Sequence, residues 1–357
     1  MATEEKRARR RVGKGVAAWL AGAWRQHPPP LSEAPADVAR ILASTGAGGL
    51  AWWRLQRVPG DEGAWTDLRR AYCFYAIEAV VRRRQIVEAL GCLKGEGIEP
   101  ILSKGWAIAR LYPEPALRPY RDIDLYVRPA VYEQALATLG ATGLAHGPVE
   151  LHRGVEDLSD RDFERLYERS RVASLDGVPV RLLAPEDELR HLCLHLLRHR
   201  ISRPLWLCDV ALTLETLPAR FRWDWCLEGD ARRADWVVCT LRLAHDLLGA
   251  SLERADAAPV RVRRLPSWLV PAVLDQWGTP PQIIPPLMTA TLAPAGLPGA
   301  LRRRWPTPIA ATIHRSAAFD EFPRLPIQLA CVIARAGRWV RNRAAAGPGS
   351  RDEGGRE

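Results

Sequence analysis

The stretch ILSKGWAIARLYPEPALRPYRDIDLYV, residues 101–127, decides the fold. It begins at the end of a short apolar strand that we predict over 98–102. A Lys-Gly turn and a short helix follow, and three prolines break that helix. The stretch ends in a second strand, predicted over 122–127, in which polar and apolar residues alternate. The pattern therefore predicts the order strand, turn, helix, strand.

Two aspartates of the second strand carry the chemistry. Asp122 and Asp124 are two residues apart, so both carboxylates lie on one face of the strand while the apolar residues lie on the other. Two carboxylates this close repel each other, and a divalent cation relieves the repulsion. Hard oxygen ligands suit Mg²⁺. The pair therefore predicts a magnesium site.

A third acid follows on the next predicted strand, over 148–152. Glu150 and His152 share one face of that strand, and Glu150 faces as the two aspartates do. Three carboxylates on neighbouring strands are what two-metal phosphoryl or nucleotidyl transfer needs. His152 is a candidate for the substrate cleft. If a bulge shifts the register of this strand, another acid takes the third position: Glu156, Asp157 or Asp160.

The rest of the chain is mainly helical, and the fold class we predict is α+β. A periodic helix occupies 66–94, and helical patterns dominate after residue 185. We predict four segments: a helical and irregular N-terminal segment, a core with the strands, a helical domain and a disordered tail. Their bounds are 1–65, 66–184, 185–343 and 344–357.

Composition limits the partners and the compartment. The net charge of +10 indicates an anionic partner such as a nucleoside triphosphate, a nucleic acid or an acidic surface, without choosing among them. The seven cysteines include no Cys-x-x-Cys pair, which argues against a disulfide framework and a thiolate zinc site. No stretch reaches the roughly 18–20 apolar residues that a membrane span needs. We expect a cytoplasmic protein with no membrane span.

The stretch 101–127 resembles the signature of an uncharacterised nucleotidyltransferase family of the polymerase-β superfamily. The resemblance continues with VELH at 149–152, LLAPEDELRHLCLHLLRHR at 182–200 and LWLCDVALTLE at 205–215. The order Arg-x-x-x-Asp-Ile-Asp is also similar to aminoglycoside nucleotidyltransferases. The resemblance covers about residues 66–250. It implies a polymerase-β-type nucleotidyltransferase core, a small mixed β-sheet with flanking helices, and a large helical C-terminal domain.

The resemblance also implies roles for the acids. Asp122 and Asp124 are expected to ligate two Mg²⁺ ions that bridge the phosphates of a nucleoside triphosphate. Glu150 is expected to hold the catalytic metal and to orient or deprotonate an acceptor hydroxyl. The reaction so implied is transfer of a nucleoside monophosphate to a small-molecule or peptide acceptor.

Nucleotide contacts are implied by the same resemblance. Backbone N–H groups at Gly105 are expected to cradle the β- and γ-phosphates, with Lys104 as a charged partner and Trp106 beside them. Arg118 and Arg121 are expected to neutralise the leaving pyrophosphate. The superfamily's usual Gly-Ser or Gly-Gly is replaced here by Lys104-Gly105-Trp106, so the phosphate-binding hydroxyl is missing.

Three histidines stand one turn apart on the helix predicted over 185–200. His191 and His195 have a spacing that can bind zinc, and His199 follows, but the neighbouring sequence supplies no third ligand. We interpret them mainly as packing residues. His195 is a candidate for lining the cleft, and Asp209 on the next helix is a candidate for orienting its ring.

Two other functions remain open. One is a regulatory or antitoxin-like binding protein that keeps the fold with little or no catalysis, which the missing hydroxyl leaves possible. The other is nucleic-acid-directed transfer, which only the net charge favours and which requires a continuous basic groove.

Overall fold

A five-stranded mixed sheet forms the centre of the core. Its strands are β1 Ile101–Ser103, β2 Ile123–Val127, β3 Val149–Arg153, β4 Arg171–Leu175 and β5 Val178–Leu182. They lie in the order β3-β2-β1-β5-β4. β1 is antiparallel to β2 and parallel to β5, β2 is parallel to β3, and β4 is antiparallel to β5. The sheet confirms the α+β class and the mixed core.

Helices make up most of the remaining described chain. The computed structural model describes residues 2–31, 35–56, 65–144, 147–254, 257–280 and 304–345. The first seven helices are α1 Ala2–Leu20, α2 Ala36–Ser44, α3 Gly48–Leu55, α4 Thr66–Gly95, α5 Gly105–Ala109, α6 Tyr132–Ala141 and α7 Phe163–Arg169. The later ones are α8 Pro185–Arg198, α9 Pro204–Glu215, α10 Trp223–Leu227, α11 Ala231–Leu248, α12 Ala258–Val262, α13 Leu269–Trp277, α14 Pro308–His314 and α15 Arg324–Ala345.

The two faces of the sheet differ in chemistry. The apolar residues of β2 pack in one buried cluster with residues of α4 and α6, including Ile86, Leu90 and Leu139. The opposite face carries Ser103 and Asp124, which are paired across β1 and β2, and it faces α8. Because successive side chains of a strand alternate, one strand supplies both the core and a polar surface.

The N-terminal segment predicted over 1–65 contains helices α1 to α3. α1 packs along α13, and Arg10 donates two hydrogen bonds to Asp275 at 3.0 and 2.9 Å. The two helices approach closely at Gly13 of α1 and at Gly278, the residue after α13. A Cβ at Gly13 would lie 2.0 Å from the carbonyl oxygen of Leu274, so only glycine permits this contact.

The sequence prediction missed one strand and misplaced some ends. β4 was not predicted, although Asp176 and Gly177 connect it to β5 with φ angles of 51° and 83°. Two central residues with positive φ form the turn that Asp-Gly favours in hairpins. β2 begins at Ile123 rather than at 122, and β1 spans 101–103 rather than 98–102. Helix α7 was also not predicted.

By internal contacts the chain divides into Met1–Pro281 and Gln282–Glu357. The finer boundaries predicted at 65, 184 and 343 stay predictions. Most of the predicted tail, residues 346–357, lies outside the described residues. Within the described part of the chain, no helix is both long and apolar enough to cross a bilayer.

Candidate active site

The register of three strands brings the predicted acids to one edge of the sheet. Asp124 of β2 lies opposite Ser103 of β1 on one side and opposite Glu150 of β3 on the other. Asp122 directly precedes β2 and is exposed. Two residues further along β2 and β3, Tyr126 pairs with His152. The predicted facing of Glu150 and His152 is therefore confirmed, while their roles stay predictions.

Asp124 is the most strongly held of these acids. Its side chain is nearly buried, and its Oδ1 lies 2.7 Å from Lys104 Nζ and 2.9 Å from His152 Nε2. Burial by itself raises the pKa of Asp124, but the hydrogen bond from His152 and the charge of Lys104 lower it further than burial raises it. The net pKa lies below the usual range, so Asp124 is ionised near neutral pH.

Glu150 has the opposite electrostatics. It is exposed, and its Oε2 lies 3.8 Å from His152 Nε2. Partial burial and then the negative charges of Asp122 and Asp124 raise the pKa of Glu150. The acids here therefore repel one another. At Glu150, the repulsion from Asp122 and Asp124 is larger than the attraction to Lys104 and His152.

The backbone at Lys104 is strained. Its φ of 57° and ψ of −140° form a combination that residues other than glycine rarely adopt. Gly105 follows with φ of 30°, and a Cβ there would lie 3.2 Å from a ring carbon of Tyr120. The side chain of this strained residue forms the ion pair with Asp124. Its ammonium also lies 5.7 Å from the centre of the Tyr126 ring.

The two arginines predicted to face pyrophosphate have different surroundings. Arg118 is buried and bonds Asp209 of α9, with Nη2 and Nε 2.8 and 3.1 Å from Oδ2. Tyr112 donates to the other oxygen of Asp209 at 2.8 Å. The suggestion that Asp209 orients His195 is wrong: Asp209 bonds Arg118 and Tyr112, and the carboxylate beside the His195 ring is that of Asp157, 3.2 Å from Nδ1. Arg121 is exposed beside Asp122.

Trp106 lies in the core. It is 8% exposed and belongs to the apolar cluster that also contains Leu102 and Tyr120. With Arg83 and Arg110 it lines a cavity of about 220 Å³. Contact between Trp106 and a nucleotide stays a prediction.

A second cluster lies on the same side of the sheet as Asp124. His195 Nδ1 lies 3.2 Å and His191 Nε2 3.4 Å from Oδ2 of Asp157, which belongs to a short 3₁₀ helix, Glu156–Leu158. Burial lowers the pKa of His195 to about 3, so its ring is neutral at pH 7. The sequence prediction missed this cluster, because Asp157 lies 34 and 38 positions before the two histidines.

The other acids considered for the third position have partners of their own. Asp160 accepts from Arg190 at 2.6 Å and from Arg233 at 3.3 Å, and Glu156 pairs with Arg198. Glu150 is therefore the acid that the sheet itself brings next to Asp124.

The ring of Tyr126 connects the two clusters. It stacks on His152 with ring centres 4.7 Å apart, and it meets the edge of His191 at 5.7 Å. Two groups of side chains within the described residues place possible ligand atoms within 4.8 Å of one another, and Tyr126 touches a histidine of each. They are Asp124 with Glu150 and His152, and Asp157 with His191 and His195.

Comparisons with known proteins assign the chain to a family. The crystal structure of an antigenic nucleotidyltransferase-like protein from Paracoccidioides brasiliensis is 13% identical, and the match covers 52% of this chain and 95% of that one. Its TM-score of 0.33 is too low to support the assignment. No curated protein matches the chain significantly. The family described as uncharacterised nucleotidyltransferase matches residues 32–148 and 145–249, and this chain belongs to that family.

Proposed function

We propose that this protein transfers a nucleoside monophosphate from a nucleoside triphosphate to a small-molecule or peptide acceptor, with Mg²⁺ held by Asp122, Asp124 and Glu150. The register of β2 and β3 supports this most directly, because it pairs Asp124 with Glu150. Asp122 enters the same edge from the start of β2. Asp124 and Glu150 place possible ligand atoms within 4.8 Å of each other. With Asp122 supplied from the residue before β2, the three carboxylates are what two-metal nucleotidyl transfer requires.

The residues at this edge fit a magnesium ion. The three acids offer hard oxygen donors. Partial burial and then the negative charges of Asp122 and Asp124 raise the pKa of Glu150, and Lys104 and His152 do not offset this. When bound, Mg²⁺ neutralises phosphate oxygens and the charge that develops on the leaving pyrophosphate. The ammonium of Lys104 lies 2.7 Å from Oδ1 of Asp124, so a metal ion that uses this oxygen displaces Lys104.

The chain's own residues then have separable tasks. Lys104, once released from Asp124, lies near enough to the acids to bind a phosphate oxygen as a point charge. Arg121 is exposed beside Asp122 and is suited to the departing pyrophosphate. Glu150 is exposed and can accept a proton from, or orient, an acceptor hydroxyl. Arg118 positions the segment before β2 through Asp209 rather than reaching the phosphates.

Nucleotide binding and pyrophosphate release test this function. The protein is mixed with ATP, GTP, CTP or UTP and Mg²⁺, and binding heat and released pyrophosphate are measured. We expect at least one nucleotide to bind only with Mg²⁺ and to release pyrophosphate. Asp124→Ala should abolish the release, and Asp67→Asn, a change at an exposed acid of α4, should not. Failure of all four nucleotides to bind contradicts the proposal.

One observation favours a second candidate, a regulatory or antitoxin-like binding protein with the same fold. The Lys104–Asp124 ion pair balances the buried acid without any metal, which a protein without turnover can retain. This candidate predicts that no pyrophosphate is released with any nucleotide. It also predicts that Lys104→Met, which removes the balancing charge, lowers the free energy of unfolding. Asp124→Asn should change the affinity for the binding partner little.

A further inference from the structure

The cluster of Asp157, His191 and His195 has the geometry of a metal site. His191 and His195 are four residues apart on α8, so both rings project from the same side of the helix. Their nitrogens face one carboxylate oxygen of Asp157, at 3.4 and 3.2 Å. One possible ligand atom from each residue lies within 4.8 Å of the other two. The 3₁₀ helix thus supplies the third ligand that the sequence near the histidines lacks.

An unsatisfied atom points to a missing ligand in this cluster. His191 is fully buried, and its Nε2 has no hydrogen-bond partner among the described residues. Buried polar atoms normally have one, and an exception calls for an explanation. The 3.4 Å approach to Asp157 does not meet the geometry of a hydrogen bond, so a second, independent observation marks this position.

The other side of the His191 ring explains why Nε2 is unsatisfied. Its Nδ1 lies 3.0 Å from Ser103 Oγ, which in turn lies 3.0 Å from Oε1 of Glu188. The Ser103 hydroxyl donates its one hydrogen to Glu188, so its oxygen accepts from His191 Nδ1–H. The lone pair of Nε2 then faces a carboxylate oxygen. A cation between them turns this repulsive approach into ligation. Metal-bound histidines are commonly oriented in this way through their second nitrogen.

We propose that Asp157, His191 and His195 bind a zinc-class transition-metal ion, at a site separate from the acids of β2 and β3. Two imidazole nitrogens and one carboxylate oxygen suit Zn²⁺, whereas Mg²⁺ and Ca²⁺ prefer oxygen ligands alone. Three protein ligands leave a fourth tetrahedral position open, as in zinc sites that bind water or a substrate atom.

The surroundings set the strength of this site. Arg198 Nε lies 3.2 Å from the other oxygen of Asp157, so Oδ2 is the oxygen left for the metal. To bind the metal through Nδ1, His195 gives up its Nδ1–H bond to Asp157 and adopts the other tautomer, with its ring proton on Nε2. Because the cation of Arg198 is close, we expect reversible binding rather than the very tight binding of a structural zinc site.

Metal titration of the full-length protein tests this proposal. Protein freed of metal with a chelator is titrated with Co²⁺, whose visible absorption reports nitrogen ligation in a tetrahedral site, and Zn²⁺ is then added in competition. We expect one equivalent to bind, with no competition from millimolar Mg²⁺. His195→Ala and Asp157→Asn should weaken binding by more than about 100-fold, and Ser103→Ala, a change at a positioning residue, by about 10- to 100-fold.

Two variants serve as matched controls. His199→Ala removes the next histidine of the same series, whose ring centre lies 4.6 Å from that of His195. Asp124→Asn alters the neighbouring cluster. Both should bind Co²⁺ as the unaltered protein does. Unfolding curves of the metal-free variants check their folding, and His195→Gln replaces His195→Ala if that variant is unfolded.

Three results would overturn the proposal. They are binding of less than one equivalent by the unaltered protein, unchanged binding in both His195 variants, and loss of binding in Asp124→Asn, which would assign the metal to the acids of β2 and β3. The assay contains no nucleotide, so it can fail or succeed independently of the proposed transferase activity.

Discussion

Carboxylates in two regions of this molecule have opposite surroundings. On α9, Asp209 and Glu215 are each surrounded by donors: Arg118 and Tyr112 for Asp209, and Trp24, Arg25 and the Ser251 amide for Glu215. At the edge formed by β2 and β3, Asp122 and Glu150 form no ion pair with an arginine or lysine of the described residues. Carboxylates with full sets of donors hold helices together. Acids left to repel one another are typical of a site completed by a ligand.

The largest expected effect is on α9. Asp209→Ala leaves the buried guanidinium of Arg118 without its carboxylate, and breaking such a pair destabilises a protein by about 3–5 kcal/mol. Urea unfolding followed by circular dichroism measures this loss. Asp224→Ala removes an acid that pairs with Arg222 at the surface and should leave the unfolding midpoint unchanged. Equal effects of the two changes would show that Asp209 is not a structural anchor.

At the sheet edge, Lys104 offers the next test. The ammonium of Lys104 competes with a metal ion for Oδ1 of Asp124, at 2.7 Å. Lys104→Met removes the competitor, and we expect the affinity of the protein for Mn²⁺ to rise about tenfold, or about 1.4 kcal/mol. Calorimetry without nucleotide measures this affinity. Lys94→Met, a change at an exposed lysine of α4, is the control and should have no effect. A weaker affinity in Lys104→Met would contradict the competition.

The pH dependence of stability separates the two regions further. Burial tends to raise the pKa of Glu215, but hydrogen bonds from Arg25 and Trp24 lower it more, so the folded pKa lies below the unfolded one. Such a group stabilises the fold above its unfolded pKa, which is near 4.5, and this stability is lost as pH falls through the lower folded value. Glu215→Gln should lose about 1 kcal/mol at pH 7. Its unfolding free energy should also fall less steeply below pH 4.5, as measured by urea unfolding at several pH values. An unchanged slope would contradict the role of Glu215.

Local patterns predicted the acids well because strand alternation depends only on neighbouring residues. The shared facing of Glu150 and His152 followed from their positions two residues apart, and the register places Glu150 opposite Asp124. The Asp-Gly turn between β4 and β5 is a local signal of the same kind, although β4 was not predicted from it. Both features were present in the sequence.

Contacts between distant segments could not be predicted in the same way. Arg118 and Asp209 are 91 positions apart, and Asp157 meets His195 across 38 positions. Nothing in the sequence near Arg118 distinguishes a phosphate ligand from one half of a buried ion pair. That distinction depends on how α9 packs beside the segment before β2, which only the tertiary structure gives.

The smallest expected effect, with the opposite sign, concerns Glu150. Glu150→Gln removes a charge that Asp122 and Asp124 repel, so it should raise the unfolding free energy by no more than about 0.5 kcal/mol, because water screens a half-exposed carboxylate. The same change should abolish pyrophosphate release. Glu164→Gln is the matched control: its side chain is similarly exposed, 51% against 54%, but it pairs with Arg128. Thermal unfolding at low salt compares the two variants. If Glu150→Gln destabilises the protein more than Glu164→Gln does, Glu150 belongs with the structural carboxylates of α9, and the functional reading of the sheet edge is wrong.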